Sequence, residues 1–337
     1  MTGGVDTDAG GLAGHVPVLL EEAIAFLKPV AGGSFIDGTF GGGGYSRALL
    51  AQGGRVLAID RDRDAVVAGE GLVAAAGGQL VLREGRFGDL FDIAEEAGFG
   101  AADGVVFDIG VSSRQIDEAE RGFSFAKDGP LDMRMERDGP TAADVVNRMA
   151  ESDLATVISE LGEERRARQV ARLIVTRRAE RAFTRTRDLA EVVERAVWRK
   201  PTDPIHPATR TFQALRIFLN RELDELARGL AAAERILKAG GRLVAVTFHS
   251  LEDRIVKRFL TDRSRAPAVS RHQPPAVSVS APTFRLLAKS AVVPTDAEVA
   301  ANPRARSAKL RAALRTDAPA RALDAAALAV PRLPDFA

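Results

Sequence analysis

The stretch Asp37-Gly38-Thr39-Phe40-Gly41-Gly42-Gly43-Gly44-Tyr45-Ser46 follows a short apolar run and leads directly into the helix-like Ser46-Arg47-Ala48-Leu49-Leu50. Four consecutive glycines cost backbone entropy, so such a run marks a place where the backbone takes positive φ or approaches something closely. Strand, glycine loop and helix start together present backbone N–H groups to a nucleotide-like ligand. No three of these glycines fit the G-x-G-x-x-G spacing, and no Lys-Ser/Thr pair follows as in a P-loop. Both pyrophosphate-binding readings lose ground.

Downstream, Arg55-Val56-Leu57-Ala58-Ile59-Asp60 reads as a second buried strand ending in a carboxylate, the position from which an α/β sheet holds ribose hydroxyls. A glycine loop with a ribose acid and no pyrophosphate clamp suits S-adenosylmethionine, which carries adenosine without phosphate. Two further apolar runs, Gln79 to Arg83 and Gly104 to Asp108, are separated by helical pattern. The four runs predict a doubly wound parallel α/β sheet. The next convincing strand, Gly241 to Phe248, comes far later than one crossover helix requires, which predicts an inserted domain.

The insert reads as helix. Leu154, Val157, Ile158 and Leu161 keep helical spacing, as do Leu189, Val192, Val193 and Ala196, while Leu215, Phe218, Leu219 and Leu226 form a third stripe on a helix leading back to the sheet. The cluster Pro201 to Pro207 breaks the pattern ahead of a new helix. After a Pro/Ser-rich loop from Ala266 to Pro282, further strands are expected at Thr283 to Leu287 and Ser307 to Arg311.

Composition narrows the classes. The chain has 337 residues and 46% hydrophobic content, enough for one large or two smaller domains, and no apolar run reaches membrane-spanning length. The absence of cysteine removes disulfides, thiolate nucleophiles and cysteine-held metals, and points to a reducing cytoplasm. His15, His206, His249 and His272 are too scattered to suggest a metal motif, so no metal is expected. Net charge is only +1, yet nine arginines face three acids between Leu161 and Arg187. Such local stripes either bind a polyanion or form a solvated helix face.

The residues able to carry chemistry gather at strand ends. Asp108 closes the fourth strand in Asp108-Ile109-Gly110-Val111-Ser112-Ser113-Arg114-Gln115 and should stand beside whatever the glycine loop holds. An exocyclic amine on a base is a poor nucleophile, and a carboxylate accepting a hydrogen bond from it helps as positive charge develops. Asp108 is the best-placed candidate. The tract Arg121-Gly122-Phe123-Ser124-Phe125-Ala126-Lys127-Asp128-Gly129-Pro130-Leu131-Asp132-Met133-Arg134-Met135 sets aromatics beside hydrogen-bonding groups. It reads either as a pocket for a flipped base or as a loop packing Phe123 and Phe125 at a domain boundary. His249, in Phe248-His249-Ser250-Leu251-Glu252-Asp253-Arg254, either touches substrate or caps the following helix. Arg165, Arg166, Arg210 and Arg216 are the candidate phosphate contacts.

With these motifs in order, the chain resembles the bacterial 16S ribosomal RNA cytosine-N4 methyltransferase family from about His15 to Leu310. The match includes His15 to Leu20, the glycine loop, Ile59 to Asp62, the Asp108 and Arg121 tracts, Gly162 to Arg165, His206 to Arg216, Phe248 to Arg254 and Ser307 to Leu310. The resemblance implies an S-adenosylmethionine-dependent methyltransferase fold interrupted by a helical substrate-binding domain. It implies methyl-donor contacts from Gly43, Gly44, Tyr45, Asp60, Phe87, Asp108 and Gln115, and methylation of a decoding-centre cytosine in 16S rRNA, within the small ribosomal subunit. The family usually has histidine where this chain has Tyr45. Amino-methylating DNA enzymes usually carry a polar-Pro-Pro-aromatic signature here, and Asp108-Ile109-Gly110-Val111 lacks the prolines. The expected layout is a flexible lead-in at 1–14, a methyltransferase domain at 15–117 and 218–315, an inserted helical domain at 118–217, and a frayed tail at 316–337. Phe123, Phe125, Asp132, Arg134, the four arginines and His249 are the expected substrate contacts.

Overall fold

The computed structural model describes residues 17–198, 205–265 and 281–336. The expectations for 1–14, His15, His272, the Pro201 to Pro204 cluster and most of the loop from Ala266 lie outside the described residues.

Along the chain, α1 (Leu20–Leu27) precedes β1 (Ser34–Asp37), α2 (Gly44–Ala51), β2 (Arg55–Asp60), α3 (Arg63–Ala75), β3 (Leu80–Glu84), α4 (Leu90–Glu96) and β4 (Ala102–Asp108). A short α5 (Ser113–Asp117) follows, then the helices α6 (Ala142–Arg148), α7 (Glu151–Gly162), α8 (Ala167–Glu180), α9 (Thr186–Ala196) and α10 (Thr209–Asn220). The chain returns through α11 (Glu222–Ile236) to β5 (Leu237–Thr247), α12 (Ser250–Arg263), β6 (Phe284–Leu286), α13 (Asp296–Ala301) and β7 (Lys309–Arg315).

The strands form one sheet in the order β3-β2-β1-β4-β5-β7-β6, with β1 to β5 parallel and β7 antiparallel to both β5 and β6. Successive strand residues point to opposite faces. Phe35, Val56, Val106 and Val244 therefore join α1 and α2 in one core, while Ile36, Leu57, Val105 and Ala245 join α4, α11, α12 and the inserted helices in another. Burial on both faces explains why the strands read as nearly unbroken apolar runs. Winding reverses between the adjacent strands β1 and β4, which opens a crevice at their carboxyl ends. No helix among the described residues is long and apolar enough to cross a membrane.

Two expectations are corrected. The third apolar stripe belongs to two helices, because Arg221 takes φ 50° and ends α10, so that Leu226 lies on α11. The buried Asn220 explains the break: its side chain donates to the Met133 and Arg216 carbonyls and accepts from the Met135 N–H. The tail expected to fray packs instead. Leu328 is buried in the core, Arg263 donates to the Ala322 carbonyl, and the Arg148 guanidinium lies over the Phe336 ring. A few apolar anchors suffice to hold an otherwise Ala/Pro-rich segment.

Candidate functional site

A cleft of about 460 Å³ occupies the crevice, lined by the glycine loop and by the ends of β2 and β4. Within the glycine run the four positions differ. Gly42 is exposed and faces open space, whereas a Cβ on Gly43 would fall 2.8 Å from the Phe40 ring and one on Gly44 would fall 2.1 Å from Pro17 Cγ. Gly43 also takes φ 76°. Glycine is thus required at 43 and 44 by the protein's own packing, and Gly43 does not border the cleft, although Gly44 does. Gly41 donates its N–H to Asp60 Oδ2 at 2.7 Å, while Asp60 Oδ1 accepts from Asp62 N–H at 2.8 Å. Asp60 therefore ties the β1 loop to the β2 loop.

Three carboxylates meet here with no Lys or Arg partner among the described residues. Asp37 is fully buried, accepting from Ser46 Oγ at 2.7 Å and from Thr39 N–H at 3.2 Å. Asp108 is held through its backbone, whose N–H donates to Thr39 Oγ1 at 2.6 Å, but its Oδ1 is buried with no hydrogen-bond partner. Burial, with the nearby charges of Asp37 and Glu252, pushes the Asp108 carboxyl up to about 8. Burial likewise raises Asp37 and Asp60 to about 6. Unpaired buried acids at a strand edge are the environment a cationic ligand relieves.

Phe87 lines the same cleft, its ring 5.1 Å from that of Phe107. Gln115 borders it too, but is already engaged: it closes the capping box of α5 with Ser112 and donates from Nε2 to Asp62 at 2.9 Å. Tyr45 presents its ring there while its hydroxyl donates to the Val18 carbonyl. An open glycine, an aromatic face, a strand-end acid and an orphaned carboxylate oxygen fit a cationic, adenosine-bearing methyl donor.

Residues 12–316 match the MraW methylase family. The chain belongs to that family. It is 62% identical over 313 residues to the ribosomal RNA small subunit methyltransferase H of Azorhizobium caulinodans, covering 93% of this chain and 90% of that protein. It is 59% identical to the protein of the same name from Bradyrhizobium diazoefficiens, covering 96% and 98%, and 56% identical to that of Brucella anthropi, covering 99% and 96%.

In this MraW methylase family member the expected substrate residues do not all converge. Phe123 and Phe125 are partly buried against the core, and Phe125 sits 4.5 Å from the His206 ring and 5.0 Å from Phe212. Neither borders the cleft. Asp132 and Arg134 pair with each other through two 2.8 Å contacts, closing their own loop. Arg165, Arg166 and Arg210 are exposed and lie away from the cleft, whereas Arg216 lines it. Arg216 donates from Nε and Nη2 to Glu222, both at 2.8 Å.

His249 is not part of the cleft wall. Its Nε2 lies 2.9 Å from Glu252 Oε1 without hydrogen-bond alignment, while Glu252 Oε2 caps α12 by accepting from Phe248 and His249 N–H. Glu222, His249 and Glu252 bring ligand-type atoms within 4.8 Å of one another. Arg216 already occupies both Glu222 oxygens, so this group reads as a paired structural cluster.

Several site-building contacts gave no sequence signal of their own. Arg121 is buried and bridges Asp62 at 2.7 Å to the carbonyls of Arg134 and Met135, fastening the aromatic tract to the cleft rim. Arg61 pairs with Glu136 and Glu225, both at 3.0 Å. Asn302 and Arg304 reach the cleft from beyond α13, and Arg304 pairs with Asp117 at 2.6 Å. These partners lie too far apart in sequence for spacing to connect them.

Proposed function

We propose that this chain methylates the N4 amine of a decoding-centre cytosine in 16S ribosomal RNA, using S-adenosylmethionine. The observation that carries the chemistry is the unpartnered, buried Asp108 Oδ1 at the carboxyl end of β4. When bound, the donor supplies a methyl group already activated by a sulfonium. The chain's residues supply position and charge.

Gly42 lets the donor approach the backbone, Asp60 stands at the ribose position, and Phe87 offers a ring face to adenine. Gly43 shapes the loop from behind, Gly44 and Tyr45 border the cleft beside it, and Gln115 holds the rim. Asp108 accepts a hydrogen bond from the cytosine amine, localising the nitrogen lone pair toward the methyl group. With the S–C electron pair remaining on sulfur as the methyl group is given up, the ionised Asp108 would take the amine proton released as the N–C bond forms. The carboxyl's raised proton affinity suits that task. The helical insertion, 118–217, grips the RNA backbone through exposed arginines such as Arg165, Arg166 and Arg210, while the target base is extruded into the cleft.

The test is incubation with labelled methyl donor and either small ribosomal subunits, naked 16S RNA or DNA, followed by mapping of the modified nucleotide. Label on a cytosine N4 of 16S RNA is expected. Label only in DNA, or subunit binding without transfer, overturns the proposal.

A further inference from the structure

We infer that Arg216 reads the Watson–Crick edge of the target base, donating from Nη1 to the ring N3, and is not a phosphate contact; this rests on the cytosine activity proposed above. Arg216 lines the same cleft as Asp108 and Phe248, with only 16% of its side chain exposed. Its Nε and Nη2 are locked on Glu222, while the described residues give Nη1 no hydrogen bond.

Two features argue against phosphate. Glu222 neutralises the guanidinium, which leaves a directional donor with little net attraction for an anion. Asp60 and Asp108 line the same chamber without cationic partners among the described residues, and as carboxylates they would repel a phosphate drawn into it. Cytosine meets the pair correctly, its N4 amine donating to Asp108 and its N3 accepting from Arg216. Uracil reverses both groups, setting O4 against the carboxylate and N3–H against the guanidinium. A mismatch of this kind in a desolvated pocket discriminates strongly, because each buried polar group is left unpaired.

The experiment compares small subunits reconstituted with cytidine or 3-deazacytidine at the target, using the full chain and labelled methyl donor. Removing N3 makes the amine a better nucleophile, so slower transfer reports a lost contact. We expect kcat/KM to fall about 10- to 100-fold on 3-deazacytidine. The double variant Arg216→Gln with Glu222→Gln, which removes both members of the ion pair together, should reduce that difference to less than about threefold while leaving the salt dependence of RNA binding unchanged. Binding of a donor analogue by calorimetry verifies its fold. Equal methylation of both nucleotides by the unaltered protein overturns the inference, and this arm needs no variant. So does a salt slope reduced by about 0.7 to 0.9 with base preference intact, which marks a phosphate contact. Absence of label even on cytidine subunits overturns the cytosine activity itself, a separate outcome.

Discussion

The floor of the cleft and its outer wall handle charge in opposite ways. On the floor, Asp60 and Asp108 have no cationic partner among the described residues, nor has the fully buried Asp37 at the end of β1, and Asp108 Oδ1 has no hydrogen bond at all. On the wall, the buried charges are paired: Arg121 with Asp62, Arg61 with Glu136 and Glu225, Arg216 with Glu222. A buried charge lacking a partner raises the energy of the empty protein and is relieved when a ligand of opposite sign arrives. A paired one holds geometry. The difference separates groups that meet ligands from groups that position them.

Substitution in the wall carries the largest energetic consequence. Arg121→Ala strands Asp62 and leaves the Arg134 and Met135 carbonyls unpaired, so it should cost about 3 to 5 kcal/mol of unfolding free energy in denaturant titration. A loss below about 1 kcal/mol would place Arg121 outside the framework. On the floor, Asp108→Asn should slow single-turnover transfer about 100- to 1000-fold while changing donor affinity far less. Loss of donor binding alone would make Asp108 a cofactor ligand only.

The glycine run sharpens the contrast within ten residues. Gly44→Ala must displace Pro17 and should cost about 1 to 3 kcal/mol of stability. Gly42→Ala meets nothing in the protein, so melting should be unchanged while donor affinity falls. Equal donor affinity in Gly42→Ala would mean that the ligand keeps its distance from this backbone.

The smallest effect concerns pH. The folded protein holds more protons than the unfolded chain between about pH 4, below which Asp is protonated in both states, and about pH 8, the value to which Asp108 is raised. Stability of the ligand-free protein therefore falls as pH rises through that window. A cationic donor favours the ionised carboxylates, so its affinity should rise roughly tenfold from pH 6 to pH 8, while the neutral thioether product stays nearly level. Calorimetry with both ligands checks this, and parallel profiles would show that the acids do not sense the sulfonium.

Much of the fold was legible because its signals are local. Unbroken apolar runs announced β1, β2 and β4, and the long gap before β5 announced the insertion. The α10–α11 break was hidden, since Leu219-Asn220-Arg221-Glu222 contains no glycine or proline and the bend is held by hydrogen bonds from Asn220 to a distant loop. The packed tail was hidden for a related reason: Leu328 and Phe336 are isolated apolar residues whose partners lie far away in sequence.

By itself, the sequence determined that a glycine loop and strand-end acids face one edge of a doubly wound sheet, because periodicity and chain direction dictate where strands end. Only the tertiary structure decided which members of those motifs meet open space. Gly42 faces the cleft while Gly43 and Gly44 serve packing, Phe123 and Phe125 turn inward, and Arg216 alone of the four candidate arginines enters the chamber. Those distinctions depend on which distant side chain claims each hydrogen bond and each void, and residue spacing carries no record of that competition.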